Sequence, residues 1–333
     1  MALPVRCIAA VVARIAFLLA AAVVPVSSTY AASDPQAATT LRAEDLRIAR
    51  IAYHIAIGAR SLCADPYPVT GLLLHHLAEY DSAARRIQIA RYALDQGPGV
   101  LATVEDSPAA RSGLAAGDVL LSVNGKAFPD PRAVVVKQRR GSWRKGIDAS
   151  EALLENALRA GPARLRVLRD HVERDVELNA RPGCAARVRL ARSSQANAFS
   201  DGVHVVVTTR ILDFVRSDDE LAVVIGHELA HNLLGHKAQL EAQGVPGGLL
   251  AGIGKNASRI RATEEAADRF GLRLAWAGGY DVRAATAFWQ RFYARFGSGL
   301  RIFATHPGMR TRESLVNETI SELSHEQQPG VLR

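Results

Sequence analysis

His227 and His231 stand four residues apart with Glu228 between them, inside the stretch Ser217-Asp218-Asp219-Glu220-Leu221-Ala222-Val223-Val224-Ile225-Gly226-His227-Glu228-Leu229-Ala230-His231. On a helix this spacing projects both imidazoles from one face, where they can grip one small cation. Glu228 lies beside them, a carboxylate placed to take a proton from an activated water. The chemistry so implied is hydrolysis by a metal-activated water. The competing reading, an amphipathic helix that merely tolerates two histidines, leaves a charged Glu in an apolar helix without a reason.

The element that must carry these residues starts cleanly. Ser217 and Glu220 have capping-box spacing, and the acids at 218–220 suit the positive end of a helix dipole. A third ligand is expected downstream, in residues 257–277, which read as a helix stopped by Gly278-Gly279. There Glu264 and Asp268 share a face at i, i+4. Glu264 would complete a two-His, one-Glu site and leave the fourth position to water. Asp268 would accept the outer ring N–H of a ligand histidine, His227 in the first instance. Read alone, the pair is a solvated acidic face near Arg261, Arg269 and Arg273. Beside the His-Glu-x-x-His pattern of zinc proteases it becomes a ligand helix.

The stretch resembles the HtpX/BepA-type gluzincin zinc metallopeptidases. Asn197-Ala198-Phe199, His227 to His231, Glu264 to Asp268, and Thr305-His306-Pro307 followed by Arg312 match that family's pattern in order and spacing over residues 184–320. The resemblance implies one Zn2+ per chain, a substrate strand at Asn197, Ala198 and Phe199, and His306 and Arg312 lining the cleft as catalytic residues. His306 would either donate to the oxyanion or plug the open metal position. One departure is Arg210, where the family usually has Gly, which leaves the turn before the metal helix open.

Length and composition frame the rest. There are 333 residues, enough for two domains, with 48% hydrophobic and 22% charged residues, so a packed core is expected. The formal net charge of +8 comes from scattered arginines, and aromatics make up only 6%. No basic stripe or stacking platform stands out, so nucleic acid is not an expected partner. Arg6 and Arg14 precede an apolar run at 15–26 and then Ser27-Ser28-Thr29-Tyr30-Ala31-Ala32, a secretory leader over residues 1–32 by composition, cleaved after Ala31 or Ala32, with an uncleaved anchor as the alternative. The expected location is therefore exported, in the periplasm or envelope of a bacterium. Cys63 and Cys184 remain after processing and are expected to pair, with two free thiols as the alternative.

Residues 40–61 read as a helix with Leu41, Ile48, Ile51 and Ile55 on its apolar side. Pro66 and Pro68 break it, and a second helix is expected at 70–86, carrying His75 and His76 as ordinary helix residues. From Gly97 the texture changes. A strand at 100–104, Ser107-Pro108-Ala109-Ala110 to Gly113-Leu114, Gly117-Asp118-Val119-Leu120 and an Asn124-Gly125 turn strongly resemble a bacterial PDZ domain. Residues 149–160 would line its peptide groove, and strands at 164–167 and 175–178 would close it. That resemblance implies a C-terminal or extended peptide as partner. Two departures stand: no Gly-Leu-Gly-Phe-like carboxylate loop precedes the first strand, and residues 126–148 look like an inserted, solvated basic loop.

Beyond Cys184, strands are expected at 187–191 and 203–208 with a turn at Asp201-Gly202, and Gly-rich residues 244–254 read as a lid, with a peripheral membrane contact through Leu249, Leu250 and Ile253 as the lesser reading. His236 falls roughly 140° around the helix from His231 and is expected to face away from the metal. Phe288, Trp289, Phe292 and Phe296 read as core. The expected fold class is α+β: a mostly helical zincin-type core with a small β-sheet, interrupted by a PDZ-like β-rich domain. The expected divisions are the leader to 32, an N-terminal helical part at 33–90, the PDZ-like domain at 91–182, the catalytic core at 183–325 and a frayed tail at 326–333. The expected activity is zinc-dependent endopeptidase action on protein or peptide substrates. The alternative is a non-catalytic PDZ-bearing chaperone or binding factor on the same scaffold.

Overall fold

The computed structural model describes residues 35–136, 144–245, 255–296 and 309–326. The leader, His306 with its Pro307, most of the Gly-rich 244–254 segment, Lys137, Arg139 and Arg140, and nearly all of the tail lie outside the described residues. Among the described residues no helix is long and apolar enough to cross a membrane.

Helix α1 (Pro35–Gly58) turns Ile48, Ile51, Ala52 and Ile55 into the core. Strands β1 (Tyr67–Val69) and β2 (Leu72–His75) follow, then α2 (Ser82–Tyr92), β3 (Gly99–Thr103), α3 (Pro108–Arg111), β4 (Val119–Val123), β5 (Lys126–Ala127), α4 (Pro131–Val136), α5 (Arg144–Arg159), β6 (Ala163–Arg169), β7 (Val172–Leu178) and β8 (Arg181–Gly183). The rest of the chain is β9 (Arg187–Ala191), β10 (Ala198–Ser200), β11 (His204–Thr208), α6 (Thr209–Leu212), α7 (Asp218–Leu233), α8 (His236–Ala242), α9 (Lys255–Ala277), α10 (Ala284–Phe296) and α11 (Met309–Ser324). The class is α+β: a helical layer over the sheet β10-β11-β9, interrupted by a sheet of order β2-β3-β4-β6-β7, with β5 paired to β4.

The expected helix at 70–86 is not there. Leu72-Leu73-Leu74 is a short apolar run, which periodicity alone cannot assign to helix or strand. Gly71, at φ +71°, turns the chain, and antiparallel pairing with β3 (Leu72 opposite Thr103) makes the run the edge strand of the inserted sheet. That sheet therefore begins at Leu72, and not after residue 91. Gly71 leads directly into this strand. His75 and His76 are buried there: His75 Nδ1 lies 2.6 Å from the Tyr80 hydroxyl, and His76 caps the turn at Leu77–Glu79. Burial first, then Arg85, pushes the His76 pKa down to about 4.

The insertion leaves and re-enters the helical half at one place. β1 before it pairs with β8 after it, Tyr67 opposite Gly183. Cys63 and Cys184 form a disulfide beside that pair, with Cα atoms 5.6 Å apart across a sequence separation of 121. In the chain-entropy model a loop that long contributes about 4 to 5 kcal/mol by restricting the unfolded chain.

The two halves meet along one face of α5. Arg144, Asp148, Glu151 and Glu155, at i, i+4, i+7 and i+11, face Asp201, His204, Arg189 and Arg187. The adjoining face of α5, with Ile147, Leu154 and Leu158, fills the insertion's own core. Arg144 is thus an interface residue rather than part of a solvated loop. Between α1, β2, α5 and β9 a cavity of about 130 Å³ remains, lined by Tyr53, Leu72, Leu74, Leu154, Leu158 and Val188.

Candidate metal centre

Helix α7 begins at Ser217, whose hydroxyl accepts the Glu220 N–H at 3.2 Å. Glu220 reaches back to the Arg216 N–H at 2.8 Å and binds Arg291 at 2.7 Å. Asp218 at the positive end of the helix is held by Arg47 and Arg50 of α1. From Glu220 to Ala230 every residue is buried, so α7 is a core helix packed on several sides.

Two glycines decide how close its neighbour comes. A Cβ on Gly226 would lie 2.4 Å from the Gly271 carbonyl oxygen of α9, and one on Gly271 would lie 2.6 Å from the His227 amide nitrogen. Only hydrogen at both positions allows this backbone-to-backbone crossing. The crossing carries Glu264 and Asp268 of α9 against His227. Neither glycine was singled out from sequence, although a glycine inside a helix costs up to about 1 kcal/mol and asks for an explanation.

At the crossing, His227 Nε2 and His231 Nε2 are 3.2 Å apart. Glu264 Oε2 lies 3.4 Å from His227 Nε2, and Oε1 lies 3.5 Å from His231 Nε2. A tetrahedral zinc with bonds of ~2.0–2.1 Å has ligand-to-ligand edges of about 3.3 Å. The three donors therefore fit such an ion, with a fourth direction left for solvent. Glu228, the next residue on α7, is 8% exposed.

Behind the donors lies a buried charged layer. His227 Nδ1 is 2.8 Å from Asp268 Oδ1. Arg312, from α11, donates from Nε to Asp268 Oδ2 at 2.7 Å, comes within 3.6 Å of Glu264 and lies over the Trp289 ring at 4.2 Å. Burial works to raise the Asp268 pKa, but Arg312 and His227 hold it below the usual carboxylate range. For His227 burial acts downward, yet Asp268 and then Glu264 push the pKa up to about 10. The donor set thus asks for positive charge at its centre. Arg312 was expected on the cleft wall. It is only 1% exposed, because its guanidinium neutralises Asp268 behind the donors, so it is placed to position ligands and not to meet substrate.

The expected substrate strand is β10, with Ala198 and Phe199, and it is the edge of its sheet opposite β9. Asn197 precedes it, tied down by the Thr208 hydroxyl, which accepts the Asn197 N–H and donates to its carbonyl. The turn to α7 is also resolved: Arg210 sits in α6 without a left-handed φ, so no glycine is demanded there.

His236 departs from expectation. Gly235, at φ +66°, breaks the helix after Leu234 and starts α8. The break folds His236 back, and its Nδ1 lies 3.0 Å from His231 Nδ1. Burial first, then His231, pushes the His236 pKa down to about 4.

Residues 162–260 and 248–320 match Peptidase family M48, and residues 99–134 match the PDZ domain. The mitochondrial metalloendopeptidase OMA1 of Schizosaccharomyces pombe is 28% identical over 157 residues, 40% of this chain and 47% of that protein. The chain spans about half the length of this curated relative.

Proposed function

We propose that the protein is a zinc-dependent endopeptidase acting on proteins or peptides, exported to the cell envelope. The observation that carries this reading is the triangle of His227, His231 and Glu264 donors with edges of 3.2 to 3.5 Å. The similarity to Peptidase family M48 and to a metalloendopeptidase supports it. A zinc ion held there would polarise the scissile carbonyl and lower the pKa of water.

The remaining work falls to the chain's own groups. Glu228 takes the proton of the attacking water and returns it to the leaving amine. Asp268 accepts from His227 Nδ1, so that Nε2 keeps its lone pair toward the ion, and Arg312 holds Asp268 in place. An extended substrate adds to the sheet along the outer edge of β10. The PDZ-like insertion takes an extended or C-terminal peptide beside β2. Export is supported by the leader-like composition of residues 1–32 and by the Cys63–Cys184 disulfide, a bond favoured in oxidising compartments.

Glu228→Gln tests the reading. Casein cleavage should fall by at least about 100-fold while zinc content stays at one per chain. A chelator should abolish wild-type cleavage, and added zinc should restore it. Unchanged proteolysis by the Gln variant would remove Glu228 from the mechanism. A wild type that binds zinc but cleaves nothing would favour the chaperone or binding-factor alternative.

A further inference from the structure

The two ligand histidines are supported differently. His227 has a carboxylate at its outer nitrogen, Asp268. His231 has another imidazole, His236, which is 4% exposed. The rings meet edge to face, with centroids 4.9 Å apart and planes at 79°.

A zinc ion on His231 Nε2 would fix which nitrogen of this pair donates. Two ring nitrogens 3.0 Å apart share one proton between them. His231 Nε2 faces the donor triangle, 3.2 Å from His227 Nε2 and 3.5 Å from Glu264, and a metal ligand must keep that lone pair free. With zinc bound there, its proton would sit on Nδ1. His236 Nδ1 must accept it, and His236 carries its own proton on Nε2.

We propose that His236 is a positioning residue that fixes the tautomer and ring orientation of His231 and so tightens zinc binding. The inference rests on the metal reading above. A neutral acceptor at this place has a physical rationale. Glu264, Asp268 and Glu228 already crowd the cluster with carboxylates, and one more buried anion would need a further cation to balance it. An imidazole supplies the acceptor without the charge. The left-handed Gly235 is what brings it there, by ending α7 one turn past the ligand and restarting the helix at His236.

The test compares two amides. In His236→Asn the side-chain oxygen can occupy the Nδ1 position and accept from His231. In His236→Gln the amide reaches toward the Nε2 position and leaves Nδ1 unreplaced. Zinc affinity is measured on the full chain by competition with a chromophoric chelator, alongside the thermal midpoint of each metal-free variant. The Gln variant should bind zinc about 10- to 100-fold more weakly than wild type, and the Asn variant within a few-fold of it. Metal-free midpoints should differ little between the two variants. Equal affinities for Asn and Gln, or wild-type affinity in both, would overturn the role of His236. Should Gln fail to fold, His236→Leu takes its place as the variant without an acceptor, with the same weakening expected and wild-type affinity again overturning the role. A wild type that binds no zinc would sink the metal reading itself, a result distinct from either of these.

Discussion

Two places in the described structure gather histidine and carboxylate donors closely enough to hold a cation: His227, His231 and Glu264, and the interface group Asp148, Glu151 and His204. Both hold their ligand atoms within 4.8 Å of one another, but the first has two histidines and one carboxylate, the second one histidine and two carboxylates, and the arginines stand differently. In the first, Arg312 lies behind the donors and makes its short contact with Asp268. In the second, Arg189 binds Glu151 directly, Arg144 and Arg187 flank it through Asp201 and Glu155, and the Asp148 side chain is 39% exposed. Guanidinium groups already meet the charge of the second cluster, so it serves as an ionic seam between the insertion and the catalytic half. Proximity of ligand atoms is common to both clusters; the charge still wanted at the centre of the first, beside its 3.2 to 3.5 Å donor triangle, separates the two.

The sharpest way to break this comparison is to delete one carboxylate from each cluster. Glu264→Ala should abolish both zinc retention and proteolysis, whereas Glu151→Ala should leave zinc stoichiometry at one, measured by metal analysis after dialysis. Loss of zinc from the second variant alone would reverse the assignment.

The arginines come next. Arg312→Met strands Asp268 in the interior and should cost about 3 to 5 kcal/mol in urea unfolding. Placing a methyl group at the helix crossing with Gly271→Ala should cost about 1 to 3 kcal/mol by overpacking and weaken zinc binding as α9 moves off α7. A stability change below a few tenths of a kcal/mol would show that the crossing is not tight.

A pH test probes the seam. Burial raises the pKa of Glu79 to about 8 despite the opposing field of Arg189. The folded state then holds one more proton than the unfolded state between about pH 4.5 and 8. Stability from this group is present below that window and is lost as pH rises through 8, with a slope of up to about 1.4 kcal/mol per unit. Glu79→Gln should flatten that slope in urea midpoints taken at pH 6 and 8; an unaltered slope would place the titration elsewhere. Smallest of all, Arg187→Gln removes one partly exposed rung of the seam and should cost no more than about 1 kcal/mol.

Sequence reading went furthest where the deciding geometry is local. Four residues bring His231 back onto the face of His227, and Ser217 with Glu220 marks the start of that helix, because both relations lie within one turn of backbone. Asn124-Gly125 marked a turn for the same reason, and Gly71 with Asn124 and Gly125 takes a left-handed φ. Reading failed where a choice depends on a distant partner. Leu72-Leu73-Leu74 became a strand because β3 offers an open edge, and the insertion therefore began earlier than composition indicated. His236 departs for a local reason: Gly235 interrupts the helix and folds the chain back, so the 140° offset of an unbroken helix does not apply.

The sequence by itself determined which residues could carry the chemistry and which helix would carry two of them, since side-chain type and helical period need no neighbour. Only the tertiary structure decided that Glu264 meets those histidines, that Arg312 stands behind them, and that arginines and His204 meet the carboxylates of the second cluster. Those outcomes depend on helices and domains meeting across long sequence separations, and on two glycines that let one pair of helices come close enough for the carboxylate to arrive.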